Sequence, residues 1–202
     1  MDHRFVLSAL RQNPPQVNDA ETEWAETEWM EAAKTDLAAF EPLYLRYRER
    51  IYQYVRLRSP SDEDAADATQ EVFLRAMKAL PRYQTRGIPV VVWLLRITRH
   101  LAINQQRRQR PWVSWDALPD RLQPTTEQDV ELLVQRQEAL ERLKIFVGTL
   151  KPAERELLAL RYAAGLSAPE IAAVIGKRPP AVRKQLSRLL QSLKERYAHE
   201  NQ

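Results

Sequence analysis

One segment near the middle of the chain, residues 93–110, constrains the fold most, because it fits an amphipathic helix with two very different faces. Side chains three and four residues apart share a helix face, so apolar and basic residues separate here. One face holds Leu94, Ile97, Leu101 and Asn104, and the other holds Arg96, Arg99, Ile103, Arg107 and Arg110, with His100 and Arg108 beside it. Pro111 ends the helix, since the residue before a proline avoids the α region.

The basic face is one-sided, because residues 93–110 contain no Asp or Glu. Solvated helix faces usually mix charges, since opposite charges at i,i+4 stabilise a helix. Guanidinium groups bind phosphate through planar, paired hydrogen bonds. The pattern therefore favours a polyanionic partner over an ordinary solvated surface.

Composition predicts an all-α protein with one or two domains. The chain has 202 residues, is 44% hydrophobic and contains only four glycines. No apolar run approaches the ~18 residues that a membrane span needs, and the first residues do not resemble a signal peptide. The absence of cysteine excludes disulfides and thiolate metal sites, and no other metal set or cofactor motif is recognisable. These features fit a cytoplasmic protein with no membrane insertion.

Residues 1–34 are predicted to form an acidic, Trp-containing N-terminal arm. The sequence AETEW occurs twice in tandem, at residues 20–24 and 25–29, and residues 19–31 hold six acidic residues and no basic one. A solvated acidic lead-in is the favoured interpretation. The alternative is an arm whose two Trp residues anchor it over a basic surface or on a partner. Either way we expect the arm to lie outside both cores, so that its deletion leaves thermal stability nearly unchanged.

Two further helices complete a predicted first domain, residues 35–110. The first, over residues 36–58, contains Pro42, so it either begins near Glu41 or is kinked. The second, over residues 64–80, has Ser61 and Asp64 as a capping pair. Its inward residues are Thr69, Val72, Phe73, Ala76 and Leu80, and its outward residues are Asp67, Gln70, Glu71, Leu74, Arg75 and Lys78. By charge pattern alone the outward face is that of an ordinary surface helix.

A proline-containing flexible linker, residues 111–127, separates this domain from a second one, residues 128–202. There a Lys151–Pro152 helix start precedes a short helix at 168–175, with Ser167 and Glu170 as a capping box and Gly176 at its end. A four-residue turn and a last helix, 180–197, complete a helix-turn-helix. The predicted buried side of the last helix is Val182, Leu186, Leu189, Leu190 and Leu193, and its outer side is Arg183, Lys184, Ser187 and Arg188. The basic outer side favours a DNA reader over a plain helical hairpin.

The two halves together resemble an extracytoplasmic-function (ECF) sigma factor of bacterial RNA polymerase, over residues 36–110 and 130–197. The matching motifs in the first half are FEPLYLRYRERIYQYV, DEDAADATQEVFLRAMKAL and WLLRITRHLAINQQRR. Those in the second half are LKPAERELLALRYAAGLSAPEIAAVIG and AVRKQLSRLLQSLK. Their order and spacing, with the linker between them, make the combination specific.

The resemblance implies a sigma factor that binds core RNA polymerase, through the clamp helices of the largest subunit and the flap, and recognises the −10 and −35 elements of promoter DNA. It also implies an anti-sigma factor as a partner. The implied polymerase-binding residues are Asp67, Gln70, Glu71, Leu74 and Arg75. The implied −10 residues are Tyr83, Arg86, Arg96, Ile97, Arg99, His100, Asn104, Arg107 and Arg108. The implied −35 residues are Lys177, Arg178, Arg183, Lys184, Ser187 and Arg188.

Two other classes of function are weighed against this one. A helix-turn-helix transcription regulator that is not a polymerase subunit needs only the second domain, and it does not explain the basic helix in the first. An enzyme is disfavoured, because His3, His100 and His199 are isolated in sequence and no Gly-rich phosphate loop is present. Co-purification with core polymerase separates the first two classes.

Overall fold

A computed structural model describes residues 20–59, 61–84, 87–106, 145 and 147–199 of the chain. Every regular element in these ranges is helical, which confirms the predicted all-α class. The α-helices are α1 (Ala20–Ala32), α2 (Glu41–Arg56), α3 (Asp62–Ala79), α4 (Val90–Gln106), α5 (Pro152–Leu158), α6 (Ala168–Ile175) and α7 (Pro179–His199). Short 3-10 segments, Leu37–Phe40 and Leu80–Arg82, lie before α2 and after α3.

Helix α1 corrects the prediction for the N-terminal arm. It is built from the tandem repeat, yet Met30 is 0% exposed and Ala33 4% exposed, and both belong to the hydrophobic core. Glu26, one turn before Met30, is buried beside them because Arg46 Nε lies 2.9 Å from its Oε1 and the Tyr47 hydroxyl donates to it. The expectation that the arm lies outside both cores is therefore wrong for the segment that holds Glu26, Met30 and Ala33. Residues 1–19 lie outside the described part of the chain.

Helices α2 and α3 start as their sequences require. Pro42 lies in the first turn of α2, where its missing N–H costs nothing, so the regular helix begins at Glu41 and the first of the two alternatives is confirmed. The Ser61 hydroxyl accepts a 3.0 Å hydrogen bond from the Asp64 N–H, which confirms the predicted cap. Helix α3 begins two residues earlier than expected, at Asp62.

The second half follows its sequence signals closely. Ser167 and Glu170 form the predicted capping box at the start of α6, with the Ser167 N–H donating to Glu170 Oε2 at 2.7 Å. Gly176 ends α6 with φ of 71°, a left-handed conformation that favours glycine. One feature was not predicted: α5 continues as a π-helical turn, Ala159–Ala163, in which the Ala164 N–H donates to the Ala159 carbonyl at 3.0 Å.

Helices α1 to α4 form a first unit and α5 to α7 a second, and the two share one contiguous core. Buried residues of both units, from Phe73 and Leu94 to Leu160 and Ile171, belong to a single hydrophobic cluster. The two units contact each other mainly where α4 packs on α6 and where α2 packs on the π-helical turn. The predicted flexible linker, residues 111–127, lies outside the described ranges.

Candidate nucleic-acid interface

The last helix and the turn before it present the predicted −35 residues at exposed positions. Val182, Leu186, Leu189 and Leu193 are buried and Leu190 is half-buried, so the opposite side of α7 faces solvent. The exposed set comprises Lys177, Arg178, Arg183, Lys184, Ser187 and Arg188. The Lys177 ammonium donates to Gln185 Oε1 at 3.2 Å. The Arg178 carbonyl accepts from the Ala181 and Val182 N–H groups, at 3.0 and 3.2 Å. This side therefore offers several exposed cationic and hydroxyl donors.

Helix α4 holds those predicted −10 residues that the structure describes, apart from Tyr83 just before it. His100 is exposed, with Nδ1 2.7 Å from the Arg96 carbonyl, and Ile97 is half-buried against the core. The Tyr83 ring packs 4.8 Å from the Trp93 ring, and burial, with Glu26 and Glu31 nearby, raises the Tyr83 pKa. The remaining predicted −10 residues are outside the described residues (Arg86, Arg107 and Arg108) or have only their helical backbone described (Asn104).

The basic face of α4 is partly covered, which the sequence did not predict. The Arg96 guanidinium donates two hydrogen bonds to the Ala173 carbonyl, from Nε at 3.1 Å and from Nη2 at 2.7 Å. Arg99 Nε lies 3.7 Å from Glu156 Oε1. Ala173 lies in the last turn of α6 and Glu156 in α5, so both contacts are made by the second unit. Two of the predicted DNA-binding cations therefore contact the chain's own second unit.

A polar cluster around Glu156 joins the two units, and its members were not predicted as a site. The Tyr54 hydroxyl donates to Glu156 Oε1 at 2.6 Å, and Arg58 forms an ion pair with the same carboxylate. Burial raises the Tyr54 pKa, while for Arg58 the nearby Tyr54 and Glu156 outweigh burial and raise its pKa. Because about a hundred residues separate Glu156 from Tyr54 and Arg58 in sequence, the spacing of neighbouring residues could not predict these contacts.

Arg50 makes a second junction between the units. It donates from Nε to the Ala164 carbonyl at 2.9 Å and from Nη2 to the Gly165 carbonyl at 3.3 Å, at the end of the π-helical turn. Burial lowers the Arg50 pKa, because water no longer solvates the guanidinium. The Arg50 side chain therefore links the first unit to the second by hydrogen bonds.

The predicted polymerase-binding face of α3 is exposed. Asp67, Gln70, Leu74 and Arg75 are exposed and Glu71 is half-buried, with Arg75 Nε 2.6 Å from Glu71 Oε1. Beside this face lies an open groove of about 410 Å³, lined mainly by apolar side chains that include Leu37, Tyr44 and Leu74. The surface combines an apolar groove with a charged edge, the composition of a protein-binding surface.

Neither a metal centre nor a membrane span is found in the part of the chain that the structure describes. No group of three or more potential ligands, His or carboxylate, could hold a metal ion there. None of the described helices is long and apolar enough to cross a membrane.

An exposed basic recognition helix on a helix-turn-helix defines a DNA-binding protein. The sequence matches two protein families, Sigma-70 region 2 over residues 43–111 and Sigma-70 region 4 over residues 137–193. The ECF RNA polymerase sigma factor SigD of Mycobacterium tuberculosis is 33% identical over 168 residues, covering 81% of this chain and 76% of SigD. ShbA of Streptomyces griseus, also an ECF sigma factor, is 33% identical over 164 residues, covering 78% and 83% of the two chains.

The fold of this chain is also similar to that of one chain in a solved complex. The structure of CnrH in complex with the cytosolic domain of CnrY matches with a TM-score of 0.61 and 25% identity, over 85% of this chain and 97% of that chain. Together the family matches and the relatives show that the chain belongs to the ECF RNA polymerase sigma factors.

Proposed function

We propose that this sigma factor contacts core polymerase through the outer face of α3 and promoter DNA through α4 and α7, with the residue assignments given above. The observation that carries the proposal is the arrangement of three distinct surfaces on one chain. The face of α3 is exposed, the outer side of α7 is exposed and basic, and α4 carries cations at the boundary between the units. A regulator that is not a polymerase subunit would not need the first of these surfaces.

The chemistry of each surface matches its proposed partner. On α3, Leu74 is 46% exposed beside an apolar groove, so a partner helix can bury it while Gln70 and the Glu71–Arg75 pair supply polar contacts at the edge. On α7, arginine at the start of a recognition helix can donate two hydrogen bonds to guanine O6 and N7. We expect the turn residues Lys177 and Arg178 to contact phosphates.

Binding to core polymerase tests the assignment of α3. A Gln70→Ala, Glu71→Lys double variant should bind core polymerase at least several-fold more weakly in a titration monitored by fluorescence anisotropy, because a contact at the interface edge becomes repulsive. Glu49→Lys is the matched control, since Glu49 is exposed on α2 and lies outside every proposed interface. Circular dichroism should show the same helix content for all three proteins. Equal affinities for the three would remove α3 from the interface.

We infer that the protein acts in the cytoplasm, where polymerase and promoters are, and that it performs no chemical reaction of its own. The similar solved structure contains CnrH in complex with the cytosolic domain of CnrY. We infer that a protein partner of this kind, an anti-sigma factor, binds this chain as well. Pull-down of the full chain from its own cells, followed by mass spectrometry, should identify polymerase subunits and that partner.

A further inference from the structure

The open groove beside helix α3 contains half of the large apolar side chains that are exposed in the described part of the chain. Six such side chains are exposed there, and three of them, Leu37, Tyr44 and Leu74, line this groove. The buried rings of Phe40 and Phe73 lie beneath them and pack edge to face. Single apolar side chains are common on protein surfaces, whereas a cluster of them indicates a binding surface.

The groove also carries a carboxylate without a partner. Glu41, exposed in the first turn of α2, is the one charged residue among the described residues that line the groove. No cation of the described residues forms an ion pair with it. Because opposite charges across an interface select the partner and its orientation, this edge favours an occupant that places a cation next to apolar side chains.

Residues 4–11, which lie outside the described part of the chain, have the complementary sequence, RFVLSALR. At helical spacing their apolar and polar residues separate completely. The apolar face holds Phe5, Val6, Leu7, Ala9 and Leu10, and the polar face holds Arg4, Ser8 and Arg11. The segment contains no acidic residue. An amphipathic helix that places its apolar face in an apolar groove is a common mode of recognition.

The connection to α1 is long enough for residues 4–11 to reach the groove. Helix α1 has 13 residues and is therefore about 20 Å long, and the chain after it leads directly into Leu37–Phe40, which lines the groove. The eight residues 12–19 span up to ~26–29 Å when extended, so the segment can return along α1 to its C-terminal end. A tether of this length gives an effective concentration on the order of 1 mM, at which weak binding suffices.

We propose that residues 4–11 occupy the groove in the free chain, with an arginine of the segment beside Glu41, and that they compete there with core polymerase. The competition rests on the proposed function, which assigns Gln70 and Leu74 to the polymerase interface. Both residues also line the groove, and one exposed side chain cannot be buried by two partners at once. Occupancy by the segment therefore lowers the apparent affinity for polymerase in proportion to the occupied fraction.

Photo-crosslinking from the groove tests the occupancy. The full chain carries p-benzoylphenylalanine in place of Leu37, and after irradiation trypsin, which cleaves after Arg4 and Arg11, releases residues 5–11 as one peptide. This peptide should be joined to the peptide that contains position 37. The same photoreactive residue in place of Glu49, which is exposed on α2 and does not line the groove, is the matched control and should give no such product.

A mixture of two isotopic forms identifies the copy that supplies the peptide. The photoreactive chain is irradiated together with an equal amount of isotopically labelled chain that lacks the photoreactive residue. A product that contains only unlabelled residues 5–11 supports the proposal. Labelled residues 5–11 in proportion to their share would show that a second copy fills the groove and would overturn it. A product with any other segment, or no product, would overturn it as well.

Substitutions in the segment test its apolar face. Phe5→Ser with Leu10→Ser should lower the yield of the cross-link at least several-fold, because two apolar side chains no longer pack in the groove. Ser8→Ala, on the polar face of the same segment, is the matched control and should keep the wild-type yield. Wild-type yield in the double variant would show that the apolar face is not what binds and would overturn the proposal.

Charge reversal tests the contact with Glu41. Glu41→Lys should lower the yield of the cross-link, because the new ammonium repels Arg4 and Arg11. Arg4→Glu with Arg11→Glu in the same background should restore the yield. An unchanged yield in Glu41→Lys would overturn the arginine contact.

Titration with core polymerase tests the competition. The Phe5→Ser, Leu10→Ser variant should bind core polymerase about three- to tenfold more tightly than the wild-type chain, and Ser8→Ala should bind with wild-type affinity. Saturating core polymerase should also abolish the cross-link from position 37. Wild-type affinity in the double variant would overturn the competition.

Failure of this inference is distinguishable from failure of the proposed function. If α3 is not the polymerase-binding face, the Gln70→Ala, Glu71→Lys variant binds core polymerase like the wild-type chain, and the competition is overturned with that assignment. The cross-link from position 37 forms without polymerase. It therefore reports whether residues 5–11 occupy the groove whichever surface binds polymerase.

Discussion

Replacement of Met30 by alanine should destabilise the protein strongly, although the residue directly follows an acidic repeat whose composition is typical of a solvated arm. Met30 is 0% exposed within the core, and a buried Met→Ala change costs about 2–5 kcal/mol of unfolding free energy. For a chain of this size, each kcal/mol lowers Tm by ~2–4 °C, so Tm should fall by at least ~4 °C. Urea denaturation followed by circular dichroism measures the free energy directly.

The matched control lies on the same helix. Trp24 is 66% exposed, so Trp24→Ala should change the free energy of unfolding by no more than about 0.5 kcal/mol. Deletion of residues 1–34 removes Met30, Ala33 and the Glu26 carboxylate together, so it should destabilise at least as much as Met30→Ala. If Met30→Ala and the deletion leave stability at the wild-type value, α1 does not pack as described and the arm is a solvated appendage.

Two further predictions concern DNA specificity and pH. Arg183→Ala or Lys184→Ala should cost ~1–3 kcal/mol of binding free energy on a cognate −35 duplex and much less on a scrambled one. Lys177→Ala should weaken binding to both duplexes equally and reduce the salt dependence of the affinity by about one unit of slope. Equal losses of affinity for all three variants on both duplexes would contradict base reading by α7. Burial and Glu26 raise the pKa of Tyr47, so the unfolded state releases this proton near pH 10 and the folded state retains it. Stability should therefore hold below pH 10 and decline above it, less steeply in Tyr47→Phe, as urea titrations at several pH values would show.

Local signals in the sequence were sufficient for most of the helix ends. The Ser167–Glu170 capping box, Gly176 and Pro42 each act within one turn of their own position, so the structure places α6 and the start of α2 where the sequence predicts them. The buried sides of α3 and α7 follow from spacing in the same way, because core packing selects one helix face. The family resemblance added the partners that spacing alone does not indicate.

Contacts between distant segments were not predictable from such signals. By sequence alone, Glu26 is predicted to be a solvated acidic residue of the repeat. Its burial is favourable because Arg46 and Tyr47 of α2 contact its carboxylate. The sequence pattern predicts that Arg96 and Arg99 lie on an exposed basic face. In the folded chain the Ala173 carbonyl and the Glu156 carboxylate contact them. In both cases the decisive partner lies far away in sequence, so the helical period carries no information about it.

Transcription with purified core polymerase on a library of promoter fragments tests the central claim most directly. Core polymerase supplemented with this chain should initiate at defined positions on a subset of fragments that share two short elements at a fixed spacing, and core polymerase alone should not. The Gln70→Ala, Glu71→Lys variant should lose this activity and Glu49→Lys should keep it. Binding of the chain to DNA without any initiation that depends on it would contradict its action as a sigma factor.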